Sequence, residues 1–125
     1  MPTFDEILTA FVAICPDFKK RWEEEKDDWS DDNGLITFCG LFSIISRFER
    51  ENFARMPPQQ QKQLMRFIES CTIAEGEDDT ELDTAVCTCF LENLAGEPPL
   101  SAQLRTYMGP NSLAFFNFWD YPSSN

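Results

Sequence analysis

Leu35-Ile36-Thr37-Phe38-Cys39-Gly40-Leu41-Phe42-Ser43-Ile44-Ile45-Ser46-Arg47-Phe48-Glu49-Arg50-Glu51-Asn52-Phe53 is the most apolar run in the chain, and its reading decides the fold. Phe38, Leu41, Phe42, Ile45 and Phe48 recur at the three- and four-residue spacing that places side chains on one face of a helix. The β-branched residues leave a strand open. The length favours a helix, because strands commonly end after five or six residues. Met56-Pro57-Pro58 stops this helix and starts the next, since proline cannot donate inside a helix but suits its first turn.

The flanking segments repeat the pattern. Thr3-Phe4-Asp5-Glu6 reads as a capping box, in which Thr3 caps and Glu6 reaches back. Phe4, Ile7, Leu8, Phe11, Cys15, Phe18 and Trp22 follow at helical spacing, with Pro16 either kinking one helix or opening a second. This segment runs to about Trp29 and ends in the turn Ser30-Asp31-Asp32-Asn33-Gly34. Downstream of the prolines, a glutamine-rich first turn leads into a helix whose inner face is Leu64, Phe67, Ile68 and Cys71. Ala74 to Asp79 is an acidic loop. Thr80 to Asp83 caps a helix carrying Leu82, Val86, Cys89, Phe90 and Leu94, which Gly96 and Pro98-Pro99 end. Ser101 caps a short helix bearing Leu104, and Tyr107 to Ser112 turns into a last helix with Leu113, Phe116 and Trp119 on one side. Most of the Phe115-Phe116-Asn117-Phe118-Trp119 cluster closes the core. The fold class is all-α: a single compact bundle of about five or six helices over residues 1–125.

Composition narrows the function. The chain has 125 residues, 22 acidic and 10 basic side chains, no histidine, and a formal net charge of −12. At 42% apolar residues with 12 Phe and 3 Trp it affords a core, unlike a disordered acidic tail. Nucleic acid and anionic membranes are repelled by such a charge. No apolar run approaches the length of a membrane span. Without histidine there is no Ser-His-Asp triad, Cys-His pair or Cys/His zinc site. The odd set Cys15, Cys39, Cys71, Cys87 and Cys89, each in apolar surroundings, reads as reduced, buried cysteine. Cys87 and Cys89 point apart on a helix, so they do not chelate one metal there. The acidic start of the chain does not read as a secretory signal, and a cytoplasmic location fits.

The charge is localised. Residues 23–32 carry seven acids against Lys26, residues 75–83 carry six acids and no base, and the rest balances at nine of each. A calcium loop fails in the first window: Gly34 at the sixth position puts Trp29 at the first and Gly40 at the twelfth. The second window has no glycine at the required offset. Carboxylates this dense, in turns and helix ends, read as solvated rather than as the isolated acid of a glycosidase. No catalytic residue, cofactor or metal is expected, and the chain does not read as an enzyme. The sharper reading is a docking surface that steers a basic partner. Its residues are Glu24, Asp27, Asp28, Trp29, Asp31 and Asp32 in the first window and Glu77, Asp78, Asp79 and Glu81 in the second. Trp29, between Asp28 and Ser30, reads either as an interface anchor or as a ring folded back on the core.

The stretch Asp79-Thr80-Glu81-Leu82-Asp83-Thr84-Ala85-Val86-Cys87-Thr88-Cys89-Phe90-Leu91-Glu92-Asn93-Leu94, then Tyr107-Met108-Gly109-Pro110-Asn111-Ser112 and Trp119-Asp120, resembles a family of small bacterial proteins. That family is similar to the immunity proteins found beside polymorphic toxins, including Rhs-type and type VI secretion effectors. The motifs cover about residues 79–120. The resemblance implies a small cytoplasmic antidote that binds and blocks a cognate toxin, by occluding its active or substrate-binding surface. It carries no catalytic residue. Two other classes fit a small acidic chain: a secretion chaperone, commonly of mixed α/β fold, and a nucleic-acid mimic that inhibits a DNA-binding protein.

Overall fold

A computed structural model describes residues 3–72, 80–96 and 99–119. Within these residues the chain forms seven helices and one isolated bridge, Ser30 to Ile36. The all-α class holds, with more helices than the five or six expected.

The first addition comes at Pro16. Helix α1 (Phe4–Ile14) carries the capping box as read: Glu6 N–H donates to Thr3 Oγ1, and Thr3 N–H donates to Glu6 Oε1. The residue before a proline is pushed out of helical geometry, and Cys15 sits at φ −125°, ψ 80°. The chain therefore breaks rather than kinks, and α2 (Phe18–Glu25) starts anew. A 3₁₀ turn, Lys26–Trp29, continues it into the acidic turn.

Helix α3 (Phe38–Asn52) begins three residues later than the apolar run suggests. Thr37 caps it, its Oγ1 accepting from Gly40 N–H at 3.1 Å, so Leu35 and Ile36 stay outside. Phe38, Leu41, Phe42, Ile45 and Phe48 are buried as expected, and Ile44, Ser46 and Glu49 are buried as well. A helix covered this far round is a central one. It touches α2 and its 3₁₀ turn on one side and the whole of α5 on the other.

Helix α4 (Pro58–Thr72) buries Leu64, Ile68 and Cys71, while Phe67 is half-buried and Met65 takes a place in the core. Its glutamines serve other helices. Gln60 Nε2 donates to the Ile14 carbonyl and Gln61 Nε2 to the Phe53 carbonyl, satisfying acceptors at the ends of α1 and of the 3₁₀ turn after α3.

Helix α5 runs from Thr80–Val86 through a π turn, Cys87–Leu91, into Glu92–Leu94. Leu82, Val86, Cys89, Phe90 and Leu94 are buried as read. The reading of five reduced cysteines is corrected here. Cys39 and Cys89 form a disulfide with Cα atoms 5.5 Å apart. The π turn lies across the first turn of α3, and this crossing joins residues 50 positions apart in sequence. Cys15, Cys71 and Cys87 are buried thiols.

Helices α6 (Leu100–Tyr107) and α7 (Pro110–Trp119) close the fold. Ser101 lies inside α6, buried, rather than capping it; Pro99 stands at the cap and Leu104 is buried. In α7 Phe116 is buried, Leu113 half-buried and Phe115 exposed, so the aromatic cluster closes the core through Phe116. The side chains of Phe118 and Trp119 lie outside the described residues. The N-terminus of α7 is capped from α4: Glu69 accepts from Asn111 N–H, Ser112 N–H and Ser112 Oγ–H at 2.8–3.1 Å. No described helix is long and apolar enough to cross a membrane.

Candidate functional site

Residues 26–36 form a built turn. Asp31 N–H donates to the Leu35 carbonyl at 2.8 Å, and Gly34 N–H donates to the Asp31 carbonyl at 3.0 Å. The Asp31 carboxylate Oδ1 accepts from Asn33 N–H and Leu35 N–H. Gly34 takes φ +79°, a left-handed conformation that glycine adopts without a Cβ clash. Ser30 Oγ–H donates to the Lys26 carbonyl, and the Ser30–Ile36 bridge closes the base. Gly40 on α3 is where this turn seats: a Cβ there would lie 3.1 Å from Ile36 Cγ2 and 3.3 Å from Trp29 Cβ.

This scaffold sorts the acids of the first window. Glu23 pairs with Lys26, and Glu25 pairs with Arg21 and Arg47. Those two are neutralised at home and add little field. Asp27, Asp28 and Asp32 are exposed with no cation partner among the described residues, as is Glu24 on α2. Asp31 is also exposed, but its carboxylate serves the turn. Six of the expected site residues thus lie in one continuous stretch. Glu77, Asp78 and Asp79 lie outside the described residues, as does the side chain of Glu81.

Trp29 is folded back only in part. Its Cβ is packed on Gly40, yet the residue is 38% exposed. Leu35, in the same turn, is 66% exposed, the most open of the large apolar side chains among the described residues. Sequence periodicity assigned Leu35 to the buried helix and so missed it. The available signal was Thr37, a capping residue three positions before Gly40.

A second grouping was missed altogether. Glu49, on the inner face of α3, is 0% exposed, and its Oε1 has no hydrogen-bond partner. Cys15 Sγ–H points toward Glu49 Oε2 across 4.0 Å. Burial pushes the Glu49 carboxyl up to about 8. Burial, and then the neighbouring Glu49 charge, push the Cys15 thiol up to about 12. A thiol held that high stays protonated at neutral pH and is a poor nucleophile. Cys15 also lines a cleft of about 340 Å³ with Asp17, Asn52, Arg55 and Gln60 among its other walls. Glu49 stands four residues after Ile45, so the inward position of an acid was readable from spacing alone.

Among the described residues no group of three or more His, Cys, Asp or Glu side chains is placed to hold a metal ion. The arrangement at residues 27–36 suits protein recognition: carboxylates facing solvent around apolar side chains on a pre-formed turn. The model of a domain family of unknown function, DUF7674, matches residues 8–120. No curated protein and no solved structure is similar enough to match the chain.

Proposed function

This chain belongs to the DUF7674 family, and we propose that it is an immunity protein, a stoichiometric inhibitor that docks through the turn at residues 27–36 on a basic toxin domain. The observation that carries this reading is the pairing of solvated Asp27, Asp28 and Asp32 with exposed Trp29 and Leu35 on one hydrogen-bonded turn. Carboxylates without local cations steer a basic partner and raise the association rate. Apolar anchors that lose water on contact slow dissociation. The resemblance of residues 79–120 to immunity proteins of polymorphic toxins supports a toxin as the partner. Occlusion of its active or substrate-binding surface needs no catalytic residue from this chain.

The action is placed in the cytoplasm. Disulfides are uncommon there, but the docking turn does not rest on the Cys39–Cys89 bond. Backbone bonds and Asp31 hold it, and neither sulfur contributes. A secretion chaperone of the common mixed α/β type is disfavoured by a described fold whose only bridge is isolated.

Co-expression with the product of the open reading frame upstream of this chain's own, expected to be its toxin, tests the reading. Growth should be rescued, and the two proteins should elute as one stable complex. A toxin that stays lethal, with the two eluting apart, overturns it.

A further inference from the structure

Beside the acidic turn lies a cleft of about 380 Å³, walled by Thr3, Phe4, Asp5, Gly34, Leu35 and Ile36. Its apolar walls are backed by the core. The Phe4 ring lies 5.9 Å from both Trp22 and Phe38, and Ile36 Cγ2 is seated over Gly40. The Leu35 side, though open to water, rests on the bonds that Asp31 makes to the turn. The backbone of the turn and the Phe4 and Ile36 walls are therefore held before any partner arrives, which lowers the ordering cost of binding.

The rim is anionic. Asp5 lines the α1 side of the cleft, and the Asp31 carboxylate accepts from Leu35 N–H on the turn side. The N-terminus of α1 does not reverse this field, because Thr3 and Glu6 already satisfy each other's backbone N–H groups. A second copy of this chain would bring carboxylates against carboxylates. A nucleic acid or an acidic segment would be repelled in the same way. A purely polar cation would leave Phe4 and Leu35 wet.

From this geometry we infer the element that the partner presents: an aliphatic side chain, entering between Phe4 and Leu35, on a segment whose flanking Lys or Arg side chains meet Asp5 and Asp31. The inference rests on the reading of this turn as the docking surface. It adds an apolar anchor as the determinant of specificity, with charge serving the encounter.

The test titrates the isotope-labelled protein with a short Lys/Arg peptide carrying one central leucine. The same peptide with glycine at the centre is the control. Burying the leucine should tighten binding at least about tenfold. The leucine-dependent amide shifts should fall at Phe4 and Gly34–Ile36. A Leu35→Ser variant should lose most of that discrimination while keeping salt-sensitive binding to both peptides. Equal affinity for the two peptides, or leucine-dependent shifts elsewhere on the protein, overturns the inference. The outcome is separable from that of co-expression. Rescue without a leucine preference leaves the immunity reading and removes the cleft. A leucine preference without rescue keeps the cleft and removes the toxin.

Discussion

Glu49→Gln isolates the buried carboxyl beneath the core face of α3. In the folded chain this group holds its proton up to about pH 8, because burial penalises the charged form. Unfolded, it ionises near its ordinary value of 4.5. Between those limits the folded state binds a proton that the unfolded state does not. Stability therefore falls as pH rises, by up to about 1.4 kcal/mol per pH unit. It is fully present below about 4.5 and is lost through about 8, a span worth on the order of 5 kcal/mol at most. That is comparable with the whole stability of a small domain. Glutamine keeps the shape and cannot ionise, so its own cost stays constant with pH. Urea denaturation between pH 5 and pH 8.5, followed by tryptophan fluorescence, reads the difference. The variant should gain steadily on the wild type as pH rises. Curves that run parallel would refute the reasoning and show that Glu49 reaches water or a cation in solution.

Five further expectations follow from other contacts. Reduction, or Cys39→Ser, should lower the melting temperature by roughly 10 °C, given the long loop that the Cys39–Cys89 bond closes. Partner binding by the acidic turn should be unchanged. Glu69→Ala should remove the cap that α4 lends to α7 and cost about 1 kcal/mol in chemical denaturation. Desolvation opposes ionisation of Glu69, but the donors at Ser112 and Asn111 prevail and hold its carboxyl below the usual range. That stabilisation is present above the ordinary carboxylate value and disappears as pH falls through the lowered one, so the variant should show a weaker acid dependence than the wild type. Gly109→Ala should weaken the same cap, since a Cβ there would stand 2.4 Å from the Glu69 carboxyl carbon. Reversing Asp27, Asp28 and Asp32 to Lys should slow association with a basic partner and flatten its salt dependence in stopped-flow. Asp31→Ala should instead loosen the turn, seen as lost amide protection at Leu35.

The sequence by itself determined the helical class, the capping box at Thr3, an interruption at Pro16, the inner faces of α3 and α5, and the location of the charge. These depend on periodicity, on proline and capping chemistry, and on composition, all local along the chain. Tertiary structure decided which acids remain free. Glu23 and Glu25 look like Asp27 and Asp28 in the sequence. Arg21 pairs with Glu25 one turn along α2, Arg47 reaches Glu25 because α3 lies beside α2, and Asp31 is spent on its own turn. The crossing of α3 by the π turn joined Cys39 to Cys89, and the approach of α4 to α7 put Glu69 on a distant helix end. Leu35 was exposed by a cap two residues further on, against the pull of the apolar run around it. Apart from the local pairs of Glu23, Glu25 and Asp31, each of these depends on a contact between segments far apart in sequence or on competition between a cap and a hydrophobic pattern. A linear pattern carries the preferences of single segments, and only packing sets one segment against another.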